Sequence, residues 1–376
     1  MRQIQPADLF DPEDIARIRQ PLPQACTLPP TAYRDPLVWA AEVETLFRRD
    51  WLCVARVEQL ANVGDYVCAD LPDQPIVVSR SSSGLHASSR ICLHRAMPIA
   101  DGAGNASRFV CPYHNWTYEL DGRLRSAPMM EGVQDFDPGS CRLPTLALEV
   151  WQGFVFVNRD TQAAALAPQL EGLEGFIENY QFDQLVIVET VEFDSPWNWK
   201  ILVENFMEAY HHIGTHRHTF EPVYPARQSR VPDNGGAPWL FLHMPGQHRE
   251  DSGLPLFPAL NESQQRDLIA CCVYPTLLFG ATATTAVWYQ LEPTAHDRMR
   301  LRIHLLARPE LAAHLSNEER AAFADGVRAI HTEDIAANLG PWRGLQAGLT
   351  TQGRLSSFEK GIWQLNQLWA DRLGLG

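Results

Sequence analysis

Cys92-Leu93-His94-Arg95 and, with sixteen residues between His94 and Cys111, Cys111-Pro112-Tyr113-His114-Asn115-Trp116 decide how the first half of this chain folds. Each segment offers one thiolate and one imidazole. Four such ligands can hold a structural zinc, for which a Cys2His2 set is common. They can equally hold a [2Fe–2S] cluster of the kind in which two His replace two Cys on one iron. Zinc fingers usually place two Cys in one loop and two His in the other. Here each loop is mixed, so the cysteines can bind one iron and the histidines the other.

Around these loops the texture is short alternating runs. Trp51–Ala55, Tyr66–Ala69, Pro75–Ser79 and Phe154–Val157 read as strands divided by Gly64-Asp65 and Ser83-Gly84, a small all-β domain. Upstream, residues 1–36 are Pro-rich with one helical patch at Pro12–Arg19, and Asp35-Pro36 starts a helix reaching Arg48-Arg49-Asp50. Downstream the pattern is mixed. Residues 163–180 read as helical, 184–194 as strand, and 222–265 as a Pro- and Gly-rich loop over a pocket. Two strands, 285–291 and 299–307, and two amphipathic helices, 318–337 and 356–373, complete the chain. The expected division is an N-terminal helical segment (1–50), a β domain (51–157) and an α+β domain (158–376).

The α+β part contains the second cluster, Glu204-Asn205-Phe206-Met207-Glu208-Ala209-Tyr210-His211-His212-Ile213-Gly214-Thr215-His216. On one helix, Glu204, Glu208 and His211 point one way, whereas His216 falls about 140° from His211. Gly214 can end the helix or allow a bulge that swings His216 back. Two imidazoles and a distant carboxylate make a facial triad for non-haem Fe(II) with positions left open for O2. The i, i+4 pair His212 and His216 competes with His211 and His216, and a zinc hydrolase with Glu208 as general base fits the same residues.

Composition narrows the class. A net charge of −14 argues against a nucleic-acid partner and suits docking to a basic protein. No run approaches the roughly 20 apolar residues of a membrane helix, and Met1–Pro21 has no apolar segment of the signal-peptide kind, so the cytoplasm is the expected location. Six of the eight cysteines (Cys26, Cys53, Cys68, Cys141, Cys271, Cys272) have no motif around them and read as small buried apolar residues.

Taken together, Cys92-x-His94, Cys111-x-x-His114 with Trp116 and Tyr118, Asn198-Trp199-Lys200, and Glu204-Asn205 through Glu208, His211 and His216 resemble the large subunit of Rieske non-haem iron ring-hydroxylating oxygenases. The resemblance covers residues 36–373. It implies an all-β Rieske [2Fe–2S] domain and an α+β catalytic domain built on a central antiparallel sheet of helix-grip type. Cys92 and Cys111 would hold one iron of the cluster, and His94 and His114 the other. His211 and His216 match the two imidazole ligands of a mononuclear Fe(II). The third ligand is an Asp in a Glu-Asp pair ahead of Arg-Gly-Leu, which places it at Asp334, with Glu333 as runner-up, ahead of Arg343-Gly344-Leu345. Glu208 matches the carboxylate that bridges the two centres and is an Asp in many members; Glu is found in relatives that oxidise quaternary amines. Asn205 is carried over beside it as a catalytic residue. Two departures bear on the backbone near the cluster: Ala96 and Asn115 stand where the family commonly has Gly. Gly340-Pro341-Trp342 predicts that the helix carrying Asp334 ends early.

The resemblance further implies a terminal oxygenase drawing electrons from NAD(P)H through a separate flavin/ferredoxin-type reductase, since the chain has no nucleotide-binding Gly pattern. It also implies a homotrimer in which the centres of neighbouring subunits communicate. The expected substrate is a small molecule, a quaternary or tertiary amine before an aromatic acid, hydroxylated or dealkylated with O2. A Rieske electron-transfer or regulatory protein without oxygenase activity is the rival reading. Phe220, Tyr224, Trp239, Phe241, Trp288 and Tyr289 are candidate pocket walls.

Overall fold

The computed structural model describes residues 5–249 and 252–376, so the first four residues of the expected N-terminal segment and two of the 222–265 loop lie outside the described residues. The chain forms two compact units, Phe47–Leu166 and Met1–Leu46 with Ala167–Gly376.

The first unit is all β. Its strands are β1 (Leu52–Arg56), β2 (Asp65–Leu71), β3 (Gln74–Ser81), β4 (Gly84–Ser89), β5 (Ala103–Asn105), β6 (Phe109–Val110), β7 (Thr117–Tyr118), β8 (Leu124–Ser126), β9 (Ala147–Trp151) and β10 (Phe154–Asn158). They pair as β1-β10-β9, β4-β3-β2-β5 and β6-β7-β8. Successive side chains of a strand point to opposite faces, and β3 uses this to divide two cores. Ile76 and Val78 pack with Val54, Ala55, Val155 and Val157. Val77 faces the other way, into a cluster holding Phe109, Trp116, Tyr118 and both motif cysteines, Cys92 and Cys111. Of the six remaining cysteines, Cys26, Cys53, Cys271 and Cys272 are buried as expected, whereas Cys68 and Cys141 are half-buried.

The second unit is α+β. Its sheet runs β11-β16-β15-β14-β13-β12, all antiparallel, from β11 (Val186–Ser195), β12 (Trp239–Met244), β13 (Leu268–Val273), β14 (Leu277–Ala281), β15 (Ala286–Ala295) and β16 (Arg298–Ala307). Helices are α1 (Pro12–Ile18), α2 (Thr31–Arg34), α3 (Pro36–Glu42), α4 (Leu166–Gln169, spanning the junction of the units), α5 (Glu174–Ile177), α6 (Trp199–Phe206), α7 (Pro309–His314), α8 (Asn317–Gln346) and α9 (Lys360–Arg372). Glu42 ties three helices together from full burial. It accepts from Lys200 Nζ at 2.5 Å, Trp199 Nε1 at 3.1 Å and Trp369 Nε1 at 2.7 Å. Burial pushes the Lys200 ammonium below its usual range, and Glu42 opposes that shift. Removing either partner would leave a buried charge uncompensated, at a cost of about 3–5 kcal/mol.

Four local expectations are corrected. Residues 163–180 form only short turns, α4 and α5 with a 3-10 turn at Glu178–Tyr180. The expected loop 222–265 contains β12, an edge strand in register with β13 from Trp239↔Val273 to Met244↔Leu268. The helix around Asp334 does not end before Pro341; α8 runs through it to Gln346. His331, Asp334, Asn338 and Trp342 form one buried stripe at steps of three and four, and its continuation outweighs the single backbone bond Pro341 cannot make. The Glu204–His216 stretch is not one helix either. α6 ends at Phe206, Met207 leaves helical geometry (φ −100°, ψ 17°), and a 3-10 turn spans Tyr210–Ile213.

Candidate metal centres

In the β unit both motif loops adopt one turn. Cys92 N donates to Met97 O (2.9 Å) and Ala96 N to Cys92 O (3.1 Å); in the second loop Cys111 N donates to Trp116 O (2.8 Å) and Asn115 N to Cys111 O (3.0 Å). The fifth residue of each turn is left-handed, with Ala96 at φ +54° and Asn115 at φ +58°. Glycine adopts that conformation without a Cβ penalty, so the two departures noted in the sequence fall where the backbone asks most of a side chain. Tyr118, buried, has its hydroxyl 3.3 Å from Cys92 Sγ and accepts from Leu93 N (2.9 Å). Burial, then the contact with Cys92, pushes its phenol above the usual range.

The imidazoles sit at the loop tips. His94 Nδ1 and His114 Nδ1 are 3.1 Å apart, His94 stacks on Trp116 at 5.0 Å, and His114 stacks on Tyr113 at 3.9 Å. Two nitrogens each about 2.1 Å from one metal and roughly at right angles would stand about 3 Å apart, so the pair fits two adjacent ligands of one iron. A single zinc would also draw in both thiolates. Among the described residues, however, Cys92, His94, Cys111 and His114 contribute no group of three ligand atoms within 4.8 Å of one another. That spacing suits a cluster whose sulfides separate the two irons.

In the α+β unit, His211, His216 and Asp334 do bring their ligand atoms within 4.8 Å of one another. Asp334 Oδ1 faces both Nε2 atoms, at 3.6 Å from His211 and 3.0 Å from His216. The break after α6 makes this possible. Glu208 Oε2 accepts from His211 N (3.0 Å) and caps the 3-10 turn, while its Oε1 meets His211 Nδ1 (2.7 Å). His216 is oriented in the same manner, its Nδ1 2.6 Å from Glu333 Oε2, which also accepts from Thr219 Oγ1 (2.8 Å). Glu333 therefore lies behind His216, and Asp334 lies in front. Burial alone would lower the His216 pKa, but the Asp334 and Glu333 carboxylates raise it above the usual imidazole value. Such carboxylate–imidazole pairs fix ring orientation and raise ligand basicity. His212 is turned elsewhere, its Nδ1 on Tyr224 O (3.1 Å), and burial with its imidazole neighbours depresses it to about 4.

These residues open on a cavity of about 410 Å³ that Asn205 and Glu208 also line. Of the candidate walls, Phe220, Tyr224 and Tyr289 line it. Trp288 does not; it points to the opposite face of β15 and stacks on His304 at 4.4 Å, while Phe241 stacks on Phe176 at 4.5 Å away from the metal residues. Trp239, in the same edge strand, donates its Nε1 to Glu171 O (3.1 Å). The wall that sequence reading missed is on α8. Phe323, Val327 and Ile330 precede Asp334 at steps of four, three and four, a helical stripe that was legible but was assigned to no pocket.

Comparison with known proteins agrees with both centres. Residues 50–137 match the Rieske [2Fe-2S] domain, and residues 182–375, more than half of the chain, match the ring hydroxylating alpha subunit catalytic domain. The glycine betaine monooxygenase oxygenase subunit of Chromohalobacter salexigens is 36% identical over 192 residues, 50% of this chain and 43% of that one. The carnitine monooxygenase oxygenase subunit of Escherichia coli K12 is 35% identical over 192 residues, 50% of this chain and 51% of that one. The chain thus spans about half the length of the curated relatives it matches. The crystal structure of the quaternary ammonium Rieske monooxygenase CntA with L-carnitine superposes with a TM-score of 0.81 at 24% identity, covering 96% of this chain and 99% of that one. That likeness speaks for the fold. On the two matched domains, this chain belongs to the ring-hydroxylating oxygenase alpha subunits, whose Rieske domain carries a [2Fe–2S] cluster and whose catalytic domain carries non-haem iron.

Proposed function

We propose that the chain is the terminal oxygenase of a multicomponent system, taking electrons from NAD(P)H through a separate reductase and using O2 to oxidise a small N-alkylated amine. The observation that carries the reading is the opening of His211, His216 and Asp334 onto a ligand-sized cavity. Cys92, Cys111, His94 and His114 are the residues that would hold the cluster, and His211, His216 and Asp334 those that would hold the mononuclear iron. When bound, the cluster supplies single electrons and the mononuclear iron activates O2. The chain's own residues orient the ligands: Glu208 and Glu333 each hold one imidazole by its Nδ1 edge and leave Nε2 facing Asp334. The amine preference rests on the named substrates of the relatives, carnitine and glycine betaine, and on Glu208 in place of Asp.

The reading includes a homotrimer in which Glu208 accepts an imidazole N–H from His114 of a second copy. Exposed apolar side chains surround both ends of that contact: Leu93, Met97 and Tyr113 by the histidine pair, Tyr210 and Ile213 beside His211. A cytoplasmic location, with no membrane or nucleic-acid partner, completes it; no helix among the described residues is long and apolar enough to cross a membrane. The test is O2 uptake with a surrogate reductase and a panel of N-methyl amines. Glu208→Gln should keep both metals and its cluster spectrum yet stop turnover; unimpaired turnover by that variant would remove the bridge. Light-scattering mass should be three times that of the chain, and a monomer would reject the assembly.

A further inference from the structure

Resting on the amine-oxidising reading above, we infer that the substrate has an apolar body and no carboxylate, so that this pocket excludes zwitterions of the carnitine and glycine betaine kind. Among the described residues that line the cavity of about 410 Å³, none is Lys or Arg. Its two carboxylates, Glu208 and Asp334, already face His211 and His216, and together they would balance the charge of a divalent ion. No positive charge of the protein is left for a substrate anion.

The remaining polar groups of the lining, Asn205, His212, Tyr224, Thr282, Thr285 and Tyr289, can offer hydrogen bonds but no fixed positive charge. Thr282 is held in a tight turn, its Oγ1 and N both donating to the Thr285 carbonyl (3.4 and 3.0 Å). Met244, Leu268, Phe323, Val327 and Ile330 supply much of the apolar lining. A carboxylate set against those side chains would lose hydration without gaining a cationic partner, a costly kind of burial. An ammonium head meets the reverse situation. Phe220 and Tyr224, packed edge-on with centroids 6.1 Å apart, both line the cavity, and aromatic rings favour a cation over an anion. The named substrates of two relatives each carry a carboxylate, and no cationic side chain among the described lining residues receives it.

The test is isothermal calorimetry on the metal-loaded protein with N,N-dimethylbenzylamine, L-carnitine and glycine betaine, with O2 uptake read in parallel. The apolar amine should bind at least about 100-fold more tightly than either zwitterion, a difference of about 2.7 kcal/mol. Equal or tighter binding of L-carnitine or glycine betaine overturns the inference, and so does failure of the apolar amine to bind. Tight binding of the amine without O2 consumption leaves the pocket assignment standing and overturns the oxygenase reading instead. Val327→Arg places a cation at a half-buried position of α8 that lines the cavity. It should raise affinity for L-carnitine at least about tenfold, and Val327→Gln, of similar polarity but uncharged, should not. Unchanged selectivity in a folded Val327→Arg protein would show that the missing cation is not what sets it.

Discussion

The two centres of this chain solve one problem, the fixing of imidazoles, by opposite means. The His94–His114 pair sits at exposed loop tips and is fixed by backbone: two copies of one turn, each closed by the same two hydrogen bonds, with rings propped on Trp116 and Tyr113. His211 and His216 sit in the interior and are fixed by side chains, each with a carboxylate 2.6–2.7 Å from its Nδ1. The comparison teaches where each site is vulnerable. The first should respond to changes in backbone freedom, the second to changes in charge and in packing far along the chain.

The largest effect should come from Asp334→Ala. It removes the carboxylate facing both Nε2 atoms and should cut turnover by at least about 1,000-fold, as expected when a ligand of an open three-residue site is lost. Iron should fall from about three to about two per chain while the cluster absorption persists. Loss of the cluster as well would mean that the two sites are not independent. Next is Gly361→Ala. A Cβ there would come within 2.3 Å of Met207 O, the residue at which α6 breaks. Overpacking of this kind costs about 1–3 kcal/mol; the denaturant midpoint should drop and mononuclear iron should be depleted. Glu333→Gln should weaken iron binding by about 10–100-fold, the usual effect of losing a partner behind a ligating histidine. Iron titration of the apoprotein measures this, and an unchanged affinity would show that Thr219 and packing suffice to hold His216.

How much of this was legible follows the same division. The loop site lies within 25 residues, Cys92 to Trp116, and its ligand types and spacing could be read directly. The alternation of β3 likewise predicted the strand, though not that its two faces serve two cores. The interior site was read in pieces. Periodicity extended one helix through Glu204, Glu208 and His211, because a helix is what local spacing favours. What breaks it is Glu208 capping the following turn, together with Gly361 allowing α9 to approach Met207 O. The first contact is short-range but leaves no mark on the periodicity, and the second joins residues far apart in the chain. Pro341 misled in the opposite direction: a residue that ends helices locally was overridden by the buried stripe of His331, Asp334, Asn338 and Trp342. The α8 wall of the cavity was present as spacing, but only the sheet packed against it reveals which face looks inward.

The smallest effect tests the backbone half of the comparison most directly. Ala96 and Asn115 occupy equivalent places in the two cluster loops, at φ +54° and +58°. For alanine the left-handed region costs about 1–2 kcal/mol, whereas asparagine visits it routinely. Glycine at either place removes the Cβ clash but adds freedom to the unfolded chain, which returns about 0.4–1 kcal/mol of the gain. Ala96→Gly should therefore stabilise the β unit by about 0.5–1 kcal/mol, and Asn115→Gly should change it by only a few tenths. The order of the two matters more than either magnitude. Both residues are exposed and neither is one of the four motif Cys and His, so burial and the proposed ligand set are held constant across the pair. If urea unfolding ranks Asn115→Gly above Ala96→Gly, the two loops do not share one turn, and the imidazoles at their tips are held by something other than backbone.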